Sequence, residues 1–238
     1  MAHISRKELK KDELRGALAQ GAEAVLSHQE LTLYLIIAAL VIGLAGYGWW
    51  AYTQRQTLKA SVAFDAAMKI FQAPVLSAGA PPVPNQPTYA SDNAKFTDAA
   101  QKFGDVAAKY PHTRPGQLAG YYTALSLEKL SKNEQAKSQL RALAGGGSEF
   151  ASMAQLELAQ LDDRTGQGDE AVKLYQQLMD KPTVLVPKPV VMLALAEHYR
   201  EKDPAQAAKI YGEIKSEYPD TKIADQASQE LALLPGKS

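Results

Sequence analysis

A chain of 238 residues has room for one domain of moderate size plus extensions. Lysine plus arginine equals aspartate plus glutamate at 26 each, so no net field draws in nucleic acid or acidic substrates. Cysteine is absent, which excludes disulfides, thiol catalysis and thiolate metal sites.

In chain order, residues 1–30 read as a cytoplasmic arm, with a short amphipathic helix over 5–27. Ser5-Arg6-Lys7-Glu8 fits a capping box, whose hydroxyl and carboxylate satisfy free helix amides, and Leu9, Leu18, Val25 and Leu26 give a partial apolar stripe. The next 24 residues, Leu31 to Gln54, carry no charge. About 20 apolar residues suffice to cross a bilayer as a helix. Tyr34 near the start and Tyr47, Trp49, Trp50 and Tyr52 at the end suit the two membrane–water interfaces. Thirty residues precede the run and bulky Trp49-Trp50 follows Ala45-Gly46-Tyr47, which favours an uncleaved anchor over a signal peptide. Arg6, Lys7, Lys10, Lys11 and Arg15 before the span, against Arg55, Lys59 and Lys69 after it, place the N-terminus inside. Ala39, Gly43 and Gly46 share one face of the span and would permit close helix approach.

Residues 55–91 form a linking helix and an insertion. The stretch 56–73 continues the helix without glycine or proline, and Pro74, Pro81, Pro82, Pro84 and Pro87 then impose a loop. From 92 to 234 the spacing predicts helices over about 92–110, 115–131, 134–144, 148–164, 168–181, 189–201, 204–218 and 221–234, before a tail at 235–238. Gly145-Gly146-Gly147 and Gly166-Gln167-Gly168 are turns, Asp203-Pro204 is an N-cap followed by proline at N1, and 181–189 (KPTVLVPKP) reads as a stiff extended connector.

Two alanine series run through this region. Ala99, Ala136, Ala171 and Ala207 are spaced 37, 35 and 36 residues apart, each four before Phe103, Leu140, Tyr175 or Tyr211. Ala124, Ala159, Ala196 and Ala232 follow at intervals of 35, 37 and 36. A small residue returning every ~34–36 positions is what stacked helical hairpins need where two helices cross closely. The stretch FGDVAAKYPHTRPGQLA at 103–119 also aligns without gaps on YGEIKSEYPDTKIADQA at 211–227, an offset of 108 residues.

Ala99-Phe103-Pro111 and Ala207-Tyr211-Pro219 resemble the tetratricopeptide repeat, in which a small residue, an aromatic four later and a closing proline mark the unit. Ala136-Leu140 lacks the aromatic and the proline, and the early tryptophan of the unit is missing, with Gly120, Gln155 and Met192 near that place. The YPxT stretches resemble bacterial envelope repeat proteins such as the Tol–Pal coordinator and the outer-membrane assembly lipoprotein. The layout of arm, span and repeat domain is similar to the ancillary subunit of the Sec translocon. These resemblances imply an all-α chain with an amphipathic helix, a transmembrane helix and a TPR-like α-solenoid. They imply an adaptor or chaperone in the bacterial inner membrane, with its repeat domain periplasmic and secretion machinery or unfolded envelope proteins as partners. A scaffold for envelope assembly or cell division is the alternative.

No catalytic, cofactor or metal site is expected. His3, His28, His112 and His198 lack ligand spacing, Asp162-Asp163 reads as a helix end, and Glu197, Arg200 and Glu201 read as a solvated face. No GxSxG, HExxH or phosphate-binding glycine loop occurs. Register with Ala124, Ala159 and Ala196 instead marks Tyr121, Leu125, Leu156, Gln160, Leu193 and Glu197 as a groove for extended polypeptide, with apolar walls and no charge bias.

Overall fold

Hydroxyl and carboxylate caps set the start of several helices in the computed structural model, which describes residues 29–77, 81, 83–84 and 86–234. The expected arm helix over 5–27 and the tail at 235–238 lie outside the described residues. Among the described residues nine helices follow one another: α1 (Gln29–Phe71), α2 (Asp92–Lys109), α3 (Arg114–Lys129), α4 (Asn133–Gly145), α5 (Ala151–Arg164), α6 (Gly168–Asp180), α7 (Lys188–Lys202), α8 (Pro204–Glu217) and α9 (Lys222–Leu233). The eight helices α2–α9 start and stop within three residues of the expected positions.

The chain divides after Arg55 into two units. In the first, every side chain from Leu33 to Trp50 is exposed, and α1 is long and apolar enough to cross a membrane by length and composition. In the second, the remainder of α1 supplies the first helix of a row of hairpins. Ala60 and Ala67 are buried there against Ala99, Phe103 and Ala119 of α2 and α3. Phe64 and Phe71 join Phe103 and Tyr122 in an aromatic cluster, with Phe103 and Tyr122 stacked at 5.2 Å.

The hairpins are α3 with α4, α5 with α6 and α7 with α8; the end of α1 packs with α2 and α3, and α9 packs on α8 and α7. Ala99, Ala136, Ala171 and Ala207 are all fully buried, and so are Phe103, Leu140, Tyr175 and Tyr211 to within a percent. Three successive apolar clusters result, around α1–α3, α3–α5 and α5–α9, with Leu174 packed against the last two. Each hairpin leaves an apolar face that only its neighbour can cover, which is why the array is stable as a row.

The repeated YPxT segment does the same work twice. The N–H of Tyr110 and of Tyr218 donates to the carbonyl four residues earlier and closes the helix, and proline at the next position cannot extend it. Thr113 and Thr221 then accept the N–H of Gly116 and Ala224 through Oγ1, at 3.1 and 3.2 Å, and start the next helix. Among the aligned positions at which the copies differ, Gly116 stands against Ala224. A Cβ on Gly116 would lie 1.9 Å from the Tyr110 carbonyl oxygen, so alanine fits at 224 and not at 116.

Two expectations are corrected and a third gains a role. The 181–189 connector is not extended: Thr183 N–H donates to Val186 O and Val186 N–H to Thr183 Oγ1, a tight turn that buries Val186 and leaves Val184 exposed. Ala232, last of its series, is exposed, because no later helix among the described residues covers it. Asp162-Asp163 stands in the last turn of α5, as expected of a helix end, and the pair also ties hairpins together. Lys137 of α4 is fully buried, with Nζ 2.8 Å from Asp162 Oδ1 and donating to Thr165 Oγ1 at 2.6 Å and Gln167 Oε1 at 2.8 Å. Asp163 Oδ1 lies 2.7 Å from His198 Nδ1 and 3.1 Å from Lys202 Nζ of α7. Gly168 permits that contact, since a Cβ there would meet His198 Cε1 at 2.8 Å.

The proline-rich insertion is closed at its base. Leu76 N–H donates to Tyr89 O at 2.9 Å and Tyr89 N–H to Pro74 O at 3.2 Å, and the Tyr89 hydroxyl donates to Asp98 of α2.

Candidate protein-binding face

Side chains on α3, α5, α7 and α9 meet across alternate helices, and the stripes that carry them are here called the A face. On α3 it carries Leu118, Tyr121, Leu125 and Glu128, at the three- and four-residue steps that share one side of a helix. On α5 it carries Glu157, Gln160 and Arg164, with Leu156 beside them, and on α7 Leu193, Glu197 and Arg200.

Contacts between neighbouring first helices follow the 36-residue repeat. The Tyr121 hydroxyl donates to Glu157 Oε2 at 3.2 Å, 36 positions on. Arg164 Nη2 donates to Glu128 Oε1 at 2.8 Å, 36 positions back, and to Glu157 Oε1 at 3.1 Å. Outside that repeat, Arg200 Nη1 donates to Glu230 Oε2 of α9, 30 positions on, at 3.4 Å.

Of the six expected groove residues, Tyr121, Leu125, Leu156, Gln160 and Leu193 are half-buried and Glu197 is exposed. Leu156 and Leu193 pack against the α5–α9 cluster, and Tyr121 packs against the α3–α5 cluster. The residue across from Tyr121 is Glu157 rather than Leu156, because the hydrogen-bonded register is 36 residues and not the 35 between Ala124 and Ala159.

Sequence reasoning missed Glu128, Glu157, Arg164 and Glu230, although Glu128, Arg164 and Arg200 recur at intervals of 36. Glutamates outnumber the arginine in each group: Glu128 and Glu157 flank Arg164, and Glu197 and Glu230 face Arg200. This gives the A face an acidic bias in place of the expected neutrality. Glu197, Arg200 and Glu201 are all exposed, as expected of a solvated face, and Arg200 additionally pairs with Glu230.

Desolvation raises the Glu128 carboxyl above its ordinary 4.5; Arg164 opposes the shift and Glu157 reinforces it. Desolvation likewise raises Glu197, with Glu230 adding to the shift and Arg200 opposing it. The Tyr121 phenol is pushed up by burial and then by the Glu157 charge. Tyr211 beneath α7 is pushed up to about 12, chiefly by burial. Among the described residues no group of three or more His, Cys, Asp or Glu side chains converges on a metal position.

A row of helical hairpins with core-filling alanines is an α-solenoid of the protein-interaction class. The sequence matches the tetratricopeptide repeat-like domain family over residues 27–183, and the chain belongs to that family. Residues 191–221 match the tetratricopeptide repeat as well. No curated protein matches the chain. Among solved structures, the kinesin light chain nearly identical TPR-like repeats of Podosopora anserina are similar, with a TM-score of 0.52 and 14% identity over 73% of this chain and 84% of that one. At that identity the likeness establishes the fold alone.

Proposed function

We propose that this chain is a membrane-anchored adaptor or chaperone of the bacterial cell envelope, binding polypeptide on the A face beside the secretion translocon. The observation that carries the reading is the uncharged run Leu31–Gln54, belonging to the same helix, Gln29–Phe71, that opens the repeat array. The family match begins at residue 27 and so takes in the apolar run together with the repeats. Anchoring supplies effective concentration, so a weak and broad groove can still capture chains emerging nearby. Half-buried Tyr121, Leu125, Leu156 and Leu193 provide the apolar contacts such a groove needs.

Protease added to spheroplasts should degrade residues 60–238 and spare the N-terminal arm; protection of the repeat domain overturns the orientation. A photoreactive residue at Tyr121 or Leu156 should crosslink many unfolded secretory proteins. One dominant folded partner from the peptidoglycan or outer-membrane machinery would instead favour a structural scaffold. Deleting residues 1–55 and exporting the rest should preserve folding and sharply reduce function in the cell.

A further inference from the structure

At its α1 side the A face ends in a cleft that the repeat pattern does not account for. Ser61, Phe64 and Asp65 of α1, Arg114 and Leu118 of α3, and Phe150 ahead of α5 line about 250 Å³. That is smaller than the roughly 300–1,000 Å³ of most small-molecule sites and suits one large side chain. Its walls are held from behind. Phe64 lies 5.4 Å from Phe103 and 5.7 Å from Tyr122, and buried Phe150 lies beneath the Arg114 guanidinium at 5.7 Å. Leu118 belongs to the same α3 stripe as Tyr121 and Leu125, so the cleft continues the groove.

The rim is electrostatically one-sided. Arg114 Nε is paired with Glu149 Oε1 at 2.9 Å. Asp65 is exposed and, among the described residues, carries no ion pair.

We propose that this cleft is a subsite for a large apolar side chain of a bound polypeptide, and that Asp65 selects segments in which lysine or arginine neighbours that side chain. The proposal rests on the reading of the A face as a polypeptide groove. A rigid aromatic-walled pocket is where an anchoring side chain gains most. A single exposed ion pair adds modest, salt-sensitive selectivity.

The test uses the full chain in lipid nanodiscs and two fluorescein-labelled Gly/Ser peptides, one carrying Phe-Lys pairs and the other Phe-Glu pairs, read by anisotropy. The Phe-Lys peptide should bind about threefold more tightly, the difference should vanish at high salt, and Asp65→Lys should reverse it. Ser61→Trp, which fills the cleft, should weaken the Phe-Lys peptide by about tenfold. Asp65→Lys is a surface change and keeps the test valid should Ser61→Trp fail to fold. If Leu125→Glu lowers binding while Asp65→Lys and Ser61→Trp do not alter it, the groove stands and the subsite is overturned. If neither peptide binds, both readings are overturned.

Discussion

Helices toward the ends of the repeat array begin on side-chain caps, whereas those in the middle begin without them. Ser91, Thr113, Asp203 and Thr221 each accept the backbone N–H three residues on, ahead of α2, α3, α8 and α9. The helices α4, α5, α6 and α7 start at Lys132, Phe150, Gln167 and Pro187, where no side chain makes such a bond. The middle is bound instead by side chains that cross between hairpins: Lys137 to Asp162, Asp163 to His198 and Lys202, and Ser152 to Thr183. A repeat can thus be specified locally, by cap and proline, or through its neighbours, by polar ties. The middle of this chain has exchanged the first device for the second.

The sharpest way to break that comparison is at the buried ion pair. Asp162→Ala leaves the Lys137 charge in a dry site and should cost about 3–5 kcal/mol in chemical unfolding. Removing both charges, as in Lys137→Met with Asp162→Leu, should recover most of that loss. A large effect from Asp162→Ala that the double variant does not relieve would mean that shape rather than charge matters at this junction.

Next come the helix crossings common to both regions. Ala171→Leu in the middle and Ala207→Leu toward the end should each overpack a crossing at about 1–3 kcal/mol, while Lys173→Ala on the surface should stay within about 0.5 kcal/mol. Tolerance of both leucines without loss of thermal stability would refute the repeat register.

The caps themselves should be worth less. Thr113→Ala and Thr221→Ala should each cost about 1 kcal/mol, and Lys132→Ala at an uncapped start should cost almost nothing. Unequal losses at the two threonines would show that the paired YPxT segments are not equivalent in energy.

The smallest effect concerns Glu128. Its folded-state affinity for a proton exceeds the unfolded value, so its contribution is full below the ordinary glutamate range and is lost as pH rises through the raised value. Unfolding followed from about pH 4 to 7 should show a decline in stability that Glu128→Gln flattens, by less than about 1 kcal/mol for a partly exposed group. A steeper decline in Glu128→Gln would contradict the sign.

Local chemistry is what the sequence could reveal. The uncharged run, the Tyr-Pro helix ends and the Asp203-Pro204 start act within one helix or one turn, and the alanines return at a fixed spacing, so the sequence alone exposed them. The alanines were legible because a close crossing admits only a methyl, whatever surrounds it. Glu128, Glu157 and Arg164 left only the weaker trace of a 36-residue recurrence, since an exposed charge is compatible with many neighbours.

Tertiary structure alone decided the rest. Nothing local marks Lys137 for burial, and Asp162-Asp163 reads only as a helix end until the folded hairpins enclose Lys137 and Asp162, because burying a charge requires a partner that another segment supplies. Gly116 and Gly168 differ from other small residues only through what lies across from them. The turn at 183–186 folds back because Val186 finds a buried position among side chains remote in sequence. The cleft beside Asp65 likewise exists only where α1, α3 and Phe150 converge, three segments that no local pattern connects.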